Sequence, residues 1–468
     1  MNPPAITTTL PRPRRSGEQL MIVAIAVALT IAAVLSPLAL AVLAGLVVLV
    51  LGATRFKPLL WALIFFLPIS PFLSWNLLVK DLGTLLRVCI FAGAFVYRVR
   101  RGEPIRKWLF SGRLSRWILL YFAVAIVSDF VFNPPTGLAL RELMRLASYL
   151  CFYYVISDWV RTEDEVNTLA KTLMLSTIGV TIFGFYQIAI GDYSALYNAL
   201  YPAQEEAVKL PPFSGRITSF LSHYNSLGGY LNMVIPFAIV FSLKARDKVL
   251  RRLSWICLVL ASVSVLLTQS RGALIAYVAV ILLAAWFLAP DRRARFVWVS
   301  AVAIASAVGA LLAGLIFERL SGVDEFTEVT RLAIWAGAGA LFLRSPVAGI
   351  GFGNLRSVLA VFIDVENGIL DAHNLYLELL SETGILGFGV FMGTIISVLR
   401  RARRMLHEER DSMRWMIAFG VLIAISSVLV HGSVDYLFHV SPQVAALFFA
   451  ILGLFNCRYL SDVSPVES

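Results

Sequence analysis

The stretch 371–387, DAHNLYLELLSETGILG, lies where a long polar part of the chain gives way to an apolar one. Its single histidine, His373, has an asparagine beside it and several acids nearby. Asp371 predicts an N-cap, with a short helix directly after it and His373 in the first helical turn. Gly384 predicts the point at which the polar segment passes into the next apolar run. The rest of the chain is interpreted as the scaffold that holds this helix.

The composition predicts a membrane protein. The chain has 468 residues, of which 59% are hydrophobic and 15% are charged, whereas soluble domains contain about 25% charged residues. Apolar runs of about 20 residues recur from end to end, which is the length that crosses a bilayer as a helix. We therefore predict an all-α, polytopic integral membrane protein with roughly 12–14 transmembrane helices. It divides into membrane helices with short loops (1–317), a polar helical insert (318–384) and further membrane helices (385–468).

The formal charge of +11 has a simple explanation in this setting. The basic residues are concentrated in short loops between apolar runs, for example at 98–116 and 400–404, as the positive-inside rule requires of cytoplasmic loops. Nucleic acid is therefore not an expected partner. With these loops on one side, both termini are predicted to be cytoplasmic and the insert is predicted to lie on the opposite side of the membrane.

Several arginines fall on the non-cytoplasmic side, where the positive-inside rule does not account for them. The most distinctive are Arg216, Arg271 and Arg331, with Arg145 a weaker candidate. Charged residues at a membrane boundary are costly and usually functional. Arginine binds phosphate through two parallel hydrogen bonds and keeps its proton. The pattern predicts a site for a lipid-linked phosphate, with His373 as a general base beside it.

Each of these residues also has a structural interpretation. Arg271 would simply snorkel to the interface, Arg216 and Arg331 would pair with nearby acids, and His373 would only help to start its helix. His223 is a secondary candidate, and a role for the last outer turn, with His431, Asp435 and His439, is left open. The four cysteines form no CxxC pair, and the acids at 364 and 366 are a weak signal. The sequence therefore predicts neither a metal site nor a cofactor.

Taken together, short motifs in the second half of the chain resemble the bacterial O-antigen ligase and O-antigen polymerase superfamily of polytopic glycosyltransferases. They are Gly215-Arg216, Asn225-Ser-Leu-Gly228, Gln269-Ser-Arg-Gly272, Thr330-Arg331 with Trp335, the segment SPVAGIGFGN at 345–354, and AHNLYLELLSETG at 372–384. Each motif is short, but their order, spacing and placement on one face of the membrane make the set specific. The first half of the chain shares only hydropathy with that superfamily.

The resemblance implies a multi-pass enzyme of the bacterial inner membrane with its active site in the periplasm. It would be an O-antigen ligase, a metal-independent inverting glycosyltransferase that moves a glycan from undecaprenyl pyrophosphate to lipid A–core oligosaccharide. His373 would be the catalytic base, and Arg271, Arg331 and Arg216 would bind the donor pyrophosphate. The expected supporting residues are Asn374, Asp371, Glu378, Tyr376 and Asn225, with Asp371 or Glu378 orienting the imidazole.

Two kinds of alternative remain open. Polymerases of O-antigen or exopolysaccharide and protein O-oligosaccharyltransferases share the same motifs, so the motifs do not choose the acceptor. A transporter or flippase is an alternative of another class, because Arg87 and Asp129 lie inside apolar runs. A central channel lined by Arg87 and Asp129 would favour transport, whereas His373 at the outer rim beside Arg271 would favour an enzyme.

Overall fold

The fold consists of helices throughout the part of the chain that the structure describes. This computed structural model describes residues 37–69, 82–132, 136–190, 216–221, 223–304, 325–362, 371–407 and 412–461. The helices are α1 (Pro37–Ala53), α2 (Lys57–Phe65), α3 (Leu82–Arg100), α4 (Ile105–Leu109), α5 (Gly112–Val127), α6 (Gly137–Trp159), α7 (Glu163–Ile190), α8 (Tyr224–Lys244), α9 (Lys248–Thr268), α10 (Arg271–Leu288), α11 (Glu325–Arg344), α12 (Leu355–Phe362), α13 (Leu375–Met405), α14 (Met413–Gly432), α15 (Leu437–Val440), α16 (Pro442–Phe455) and α17 (Arg458–Ser461). A π-helix, Ser128–Phe132, extends α5, and residues 292–304 are also helical. No strand occurs within these ranges, which confirms the predicted all-α fold.

Membrane-crossing helices are numerous among the described residues. Eight helices are long and apolar enough to span a bilayer: α3, α7, α8, α9, α10, α13, α14 and the stretch Pro442–Leu460. The predicted polytopic membrane architecture is therefore confirmed. The predicted total of roughly 12–14 spans includes runs that lie wholly or partly outside the described ranges, such as 20–35 and 296–317, so that total stays a prediction.

Helix α8 is the centre of the bundle. Its membrane window is 94% buried, and it packs against α9, α10 and α14. A helix that is apolar on every side is suited to such a position. Small residues let its neighbours approach closely, because a Cβ at Gly228 would overlap Ala273 of α10 and one at Gly229 would overlap Leu437 of α15. The start of α8 is thereby fixed against the starts of α10 and α15.

A proline inside α8 is compensated by a neighbouring helix. Pro236 has no backbone N–H, so the carbonyl of Asn232, four residues earlier, loses its usual partner. The hydroxyl of Ser427 on α14 donates to that carbonyl at 3.2 Å. The Asn232 side chain in turn donates to the carbonyl of Ala273 at 2.8 Å. Polar groups in a membrane bundle need such partners, and here they connect α8 to both neighbouring helices.

Helix α13 is broken at Gly384, which has φ 62° and ψ −168°. The loop 345–354 lies against the break and satisfies its backbone groups. Ile385 N–H donates to the carbonyl of Pro346 at 2.8 Å, and the carbonyl of Ser381 accepts from Ile350 N–H at 2.9 Å. Glycine is required at 384 because a Cβ there would overlap the carbonyl of Val347. The predicted boundary between polar segment and apolar run coincides with this break.

The polar insert has a small core of its own. Ile334, Ala338 and Leu341 of α11 pack with Leu355 and Leu359 of α12 and with Ala372. Ala372 comes directly before His373, so this core holds the residue next to the predicted base. The described part of the insert therefore provides a rigid support for the His373 turn, although the division of the chain at 318 and 384 stays a prediction.

Candidate functional site

His373 lies in a tight turn immediately before α13, outside the helix. Asn374 is the N-cap, and its side-chain oxygen accepts from the N–H groups of Tyr376 at 3.0 Å and Leu377 at 3.1 Å. The prediction that Asp371 caps a helix starting at Ala372 is therefore wrong. His373 itself has φ 46°, in the left-handed region.

The same turn is bound to the end of α14. The Asn374 amide donates to the carbonyl of Ser433 at 3.1 Å, and the Tyr376 hydroxyl donates to the carbonyl of Leu429 at 2.9 Å. Both contacts are made by residues that the sequence placed in supporting positions. They fix the His373 turn against the loop that follows α14, which carries Asp435.

Asp435 is the partner of the His373 imidazole. Nδ1 of His373 is 3.0 Å from Oδ1 of Asp435, and the side-chain exposures are 32% and 5%. The expectation that Asp371 or Glu378 orients the imidazole is thus wrong, because both are engaged elsewhere. Asp435 lies 62 residues from His373, and no spacing in the sequence links them. The only signal was its position in the last outer turn.

Asp435 is itself held by a hydrogen-bond network. Its Oδ1 accepts from Tyr436 N–H at 2.8 Å and its Oδ2 accepts from the Asn225 amide at 2.5 Å. The Ser270 hydroxyl donates to the side-chain oxygen of Asn225, Oδ1, at 2.6 Å. Asn225, predicted as a supporting residue, therefore acts through Asp435. The network joins the starts of α8 and α10 to the His373 turn.

The environment of Asp435 favours its ionised form. Burial raises the pKa of Asp435. The hydrogen bond from His373 and the electrostatic effect of the His373, His431 and His223 imidazoles lower this pKa by more, so the net value lies below the ordinary one. An ionised carboxylate can only accept, so the proton of a neutral His373 sits on Nδ1. Nε2 is then left with a lone pair that can accept a proton from a substrate hydroxyl.

Arg216 lies beside the start of α8. Its guanidinium carbon is 4.8 Å from the ring centroid of Tyr224, and the His223 ring contacts that same tyrosine in a tilted arrangement with ring centroids 4.0 Å apart. Burial lowers the pKa of His223 below its ordinary value, and Asp435 opposes this shift while His373, Arg216 and Arg331 add to it. All four groups therefore act electrostatically on the His223 imidazole.

Arg331 reaches this region from α11. One turn further along, Trp335 donates from its indole N–H to the carbonyl of Ala372 at 2.7 Å. Residues at positions i and i+4 share a helix face, so half-buried Arg331 lies on the side of α11 that faces the His373 turn.

Arg271 is exposed at the first position of α10. The preceding residue, Ser270, caps the helix through Ala273 N–H at 3.2 Å and belongs to the Asp435 network. On the other side, a Cβ at Gly272 would come within 2.8 Å of Val434, the residue before Asp435. Arg271 is therefore placed at the edge of the same constellation. Its flanking small residues are packed inward, while its side chain is accessible to a ligand.

A second polar cluster lies behind the His373 turn. Arg356 donates from two nitrogens to the two carboxylate oxygens of Asp371, each at 2.5 Å. Burial lowers the pKa of Arg356, but Asp371 raises it more, so the net shift is upward. The Glu378 carboxylate accepts from Ala372 N–H at 2.7 Å. Both predicted supporting acids therefore stabilise the backbone of the turn. Arg356, which nothing in the sequence distinguished, is part of this support.

The same cluster contains three groups that could hold a metal ion, namely Asp371, Glu378 and His439. His439 Nδ1 is 3.8 Å from Glu378 and its Nε2 is 3.9 Å from Glu382, and all three side chains are buried. Burial and nearby arginines lower the pKa of His439 well below its ordinary value. The guanidinium of Arg356 already neutralises Asp371, which disfavours a cation at this position. The sequence did not predict this cluster.

The two residues that would favour transport are separately packed. Arg87 donates to Ser148 at 3.2 Å and stacks over Tyr149, whereas Asp129 is buried beside Gly351. The large cavity near the C-terminal end of α13 is lined by neither residue. His373 instead lies directly before α13, at one end of that membrane-spanning helix.

Comparison with known proteins gives a family match for part of the chain. The family described as O-Antigen ligase matches residues 256–392, a range that contains Arg271, Arg331 and His373 but not Arg216, Asn225 or Asp435. No curated protein matches the chain. The comparison confirms the resemblance to the O-antigen ligase and polymerase superfamily, whose members are glycosyltransferase-like membrane enzymes. This chain is a polytopic membrane protein that is similar, over residues 256–392, to the O-antigen ligase family.

Proposed function

We propose that the chain is an O-antigen ligase of the bacterial inner membrane. It would transfer a glycan from undecaprenyl pyrophosphate to lipid A–core oligosaccharide in the periplasm, with inversion at the anomeric carbon and without a metal ion. The observation that carries the proposal is the contact between His373 and Asp435, which is the arrangement of a general base and its orienting carboxylate. The arginines around it supply the charge that a diphosphate leaving group requires.

The arginines act on the donor. Arg271, Arg331 and Arg216 bind the two phosphates, align the anomeric carbon with the acceptor and stabilise the negative charge that develops as the bond from C1 to the phosphate oxygen breaks. A diphosphate is a good leaving group, so no general acid is needed on that side. Guanidinium groups suit this task because their planar donors match phosphate oxygens in pairs.

His373 acts on the acceptor. Nε2 removes the proton from the attacking hydroxyl as the new glycosidic bond forms on the face opposite the diphosphate. The resulting imidazolium is stabilised by Asp435 through Nδ1, and Asn225 and Ser270 hold the carboxylate in place. General base catalysis of this kind contributes about 10²–10⁴-fold in rate. The proton then leaves to water.

The proposal is tested by offering three acceptors to the purified protein in liposomes. A lipid-linked donor is supplied with lipid A–core, with a second molecule of lipid-linked donor, or with a pilin, and products are separated by gel and mass spectrometry. A ligase modifies lipid A–core. Chain lengthening without modification of lipid A–core would identify a polymerase, and modification of the pilin would identify a protein glycosyltransferase. Movement of the donor across the bilayer without a covalent product would identify a flippase.

A further inference from the structure

A large cavity opens at the end of α13 opposite to His373. It has a volume of about 1570 Å³ and lies among α3, α4, α5, α13 and the segment 455–460. The part of α13 that follows the break at Gly384, residues 385–405, is roughly 30 Å long. The cavity is therefore separate from the proposed catalytic site and close to the other surface of the membrane.

The mouth of the cavity is strongly basic. The whole cavity is lined by eight arginine and lysine side chains and by two acidic side chains, Glu103 and Asp158. Both acids are already paired with buried Arg98 at the floor of the cavity, and Asp158 is also paired with Arg55, Arg161 and Arg458. An unbalanced positive charge of this size in a concave site is suited to an anion with several oxygen acceptors.

The basic groups at the mouth are available to a ligand. Lys107, Arg113, Arg400, Arg403 and Arg404 are exposed, and within the described ranges none of them forms a salt bridge. Glu408 and Glu409 follow in the sequence, outside those ranges. The eight basic side chains that line the cavity outnumber these two acids and the two acids of the lining taken together. The five exposed groups thus form the basic mouth of the cavity.

The inner wall of the cavity is apolar and runs along the membrane-crossing part of α13. It includes Leu114 and Trp117 of α5 and Gly393 and Ile396 of α13. Gly393 lies under the indole of Trp117, where a Cβ would come within 3.0 Å of the ring. Gly393 is 11 residues before Arg404, a rise of about 16 Å along a helix. The cavity therefore combines a cationic mouth with an apolar wall directed toward the bilayer interior.

We propose that this cavity binds an anionic phospholipid, with its phosphate on the basic mouth and an acyl chain along Trp117 and Ile396. Basic loops alone are explained by the positive-inside rule, but a cavity of this size with an apolar wall is not. Basic pockets between membrane helices on the cytoplasmic side bind acidic lipid headgroups. A soluble phosphate compound would bind only the basic groups of the mouth and would make no contact with the apolar wall. A lipid would contact both, so the shape of the cavity favours the lipid.

The proposal is tested by native mass spectrometry and lipid titration of the purified protein in a neutral detergent. Phosphatidylglycerol should remain bound through delipidation, whereas phosphatidylcholine should not. The double variant Arg400→Gln with Arg404→Gln should bind phosphatidylglycerol about 30-fold more weakly. The matched control is Arg292→Gln with Arg293→Gln, which removes the same charge from the exposed start of another helix and should bind like the wild type. Circular dichroism and gel filtration would check that both variants are folded.

A second arm identifies the source of the phosphate. Inorganic phosphate and glycerol phosphate, at concentrations equal to that of the lipid, should not displace phosphatidylglycerol. Trp117→Ala should weaken lipid binding while the mouth is unchanged. Equal loss of binding in the two double variants, or full displacement by glycerol phosphate, would overturn the proposal. Unchanged lipid binding in the Arg400 and Arg404 variant would overturn it as well.

Discussion

Replacing Asp435 by asparagine is the most informative perturbation of the proposed site, because the surrounding network can accommodate it. The new amide would meet the amide of Asn225, which donates to the carboxylate at 2.5 Å in the wild type. Two amide N–H groups would then face each other, and a 180° rotation of the Asn225 side-chain amide removes this conflict. After the rotation, the Asn225 side-chain oxygen accepts from the new amide, and the Asn225 side-chain nitrogen donates to the Ser270 hydroxyl. Tyr436 and His373 keep their acceptor. We therefore expect a folded protein that has lost one charge.

The size of the effect follows from the contact between His373 and Asp435. Two unit charges about 4 Å apart interact by about 4 kcal/mol at an effective dielectric constant of 20. In the wild type this attraction stabilises the imidazolium that forms in the transition state. Part of the His373 ring is exposed to solvent, which weakens the effect. We expect Asp435→Asn to lower kcat by about 10²–10³-fold and to leave the KM for the lipid-linked donor within about threefold.

The assay is glycan transfer in liposomes at equal protein abundance, for Asp435→Asn, for His373→Ala and for the double variant. If the two residues work as one unit, the double variant should be no slower than His373→Ala. Ser270→Ala is the matched control, because it removes the outer bond of the network and the cap of α10 but leaves Asp435 and its contact with His373, so it should cost less than about tenfold. Additive losses in the double variant, or a normal rate for Asp435→Asn, would refute the assignment of Asp435 as the orienting carboxylate.

The remaining predictions concern the donor site, the rear cluster and pH. Arg271→Lys keeps the charge but loses the paired hydrogen bonds, so the transfer rate and the donor affinity should both fall at least about tenfold. The control Arg292→Lys should behave like the wild type. Wild-type transfer and donor affinity in Arg271→Lys would show that Arg271 only lies at the membrane interface. EDTA should not reduce transfer, because the guanidinium of Arg356 already neutralises Asp371, one of the three groups that could hold a cation. Loss of transfer in EDTA that added Mn²⁺ or Zn²⁺ restores would instead identify a working metal site. The pKa of His223 is lower in the folded protein than in the unfolded chain, so as the pH falls the unfolded chain binds a proton at His223 first. The free energy of unfolding should therefore keep the full His223 contribution above about pH 6.5 and decrease below that pH. His223→Asn keeps an N-cap and should lessen that decline in thermal unfolding, and an unchanged pH dependence would remove His223 as its cause.

The sequence predicted the parts of the fold that depend on local composition. Apolar length and the distribution of basic loops were enough to predict a polytopic helical membrane protein, and Gly384 was predicted as a boundary because glycine ends helices. The sequence did not show why glycine is needed there. The reason is the carbonyl of Val347, which the loop 345–354 brings against the break. That contact depends on tertiary packing.

The errors at the candidate site arise from partners that are distant in sequence. Asp371 and Asn374 are both good caps, and local preference favoured the first. Arg356 binds both oxygens of Asp371, which leaves Asn374 to cap α13. In the same way Asp435 replaces the two acids that were expected to orient His373. Only the packing of α13 against α14 brings it there, and no spacing rule reports such a contact.

The central claim is that His373 is the base in a glycosyl transfer. It is tested most directly by measuring the first turnover of a radiolabelled lipid-linked glycan on lipid A–core, with wild type and His373→Ala at equal abundance in liposomes. We predict that the wild type forms labelled lipid A–core and that His373→Ala binds the donor normally but forms product at least about 10²-fold more slowly. A first turnover by His373→Ala at a rate close to that of the wild type would contradict the account.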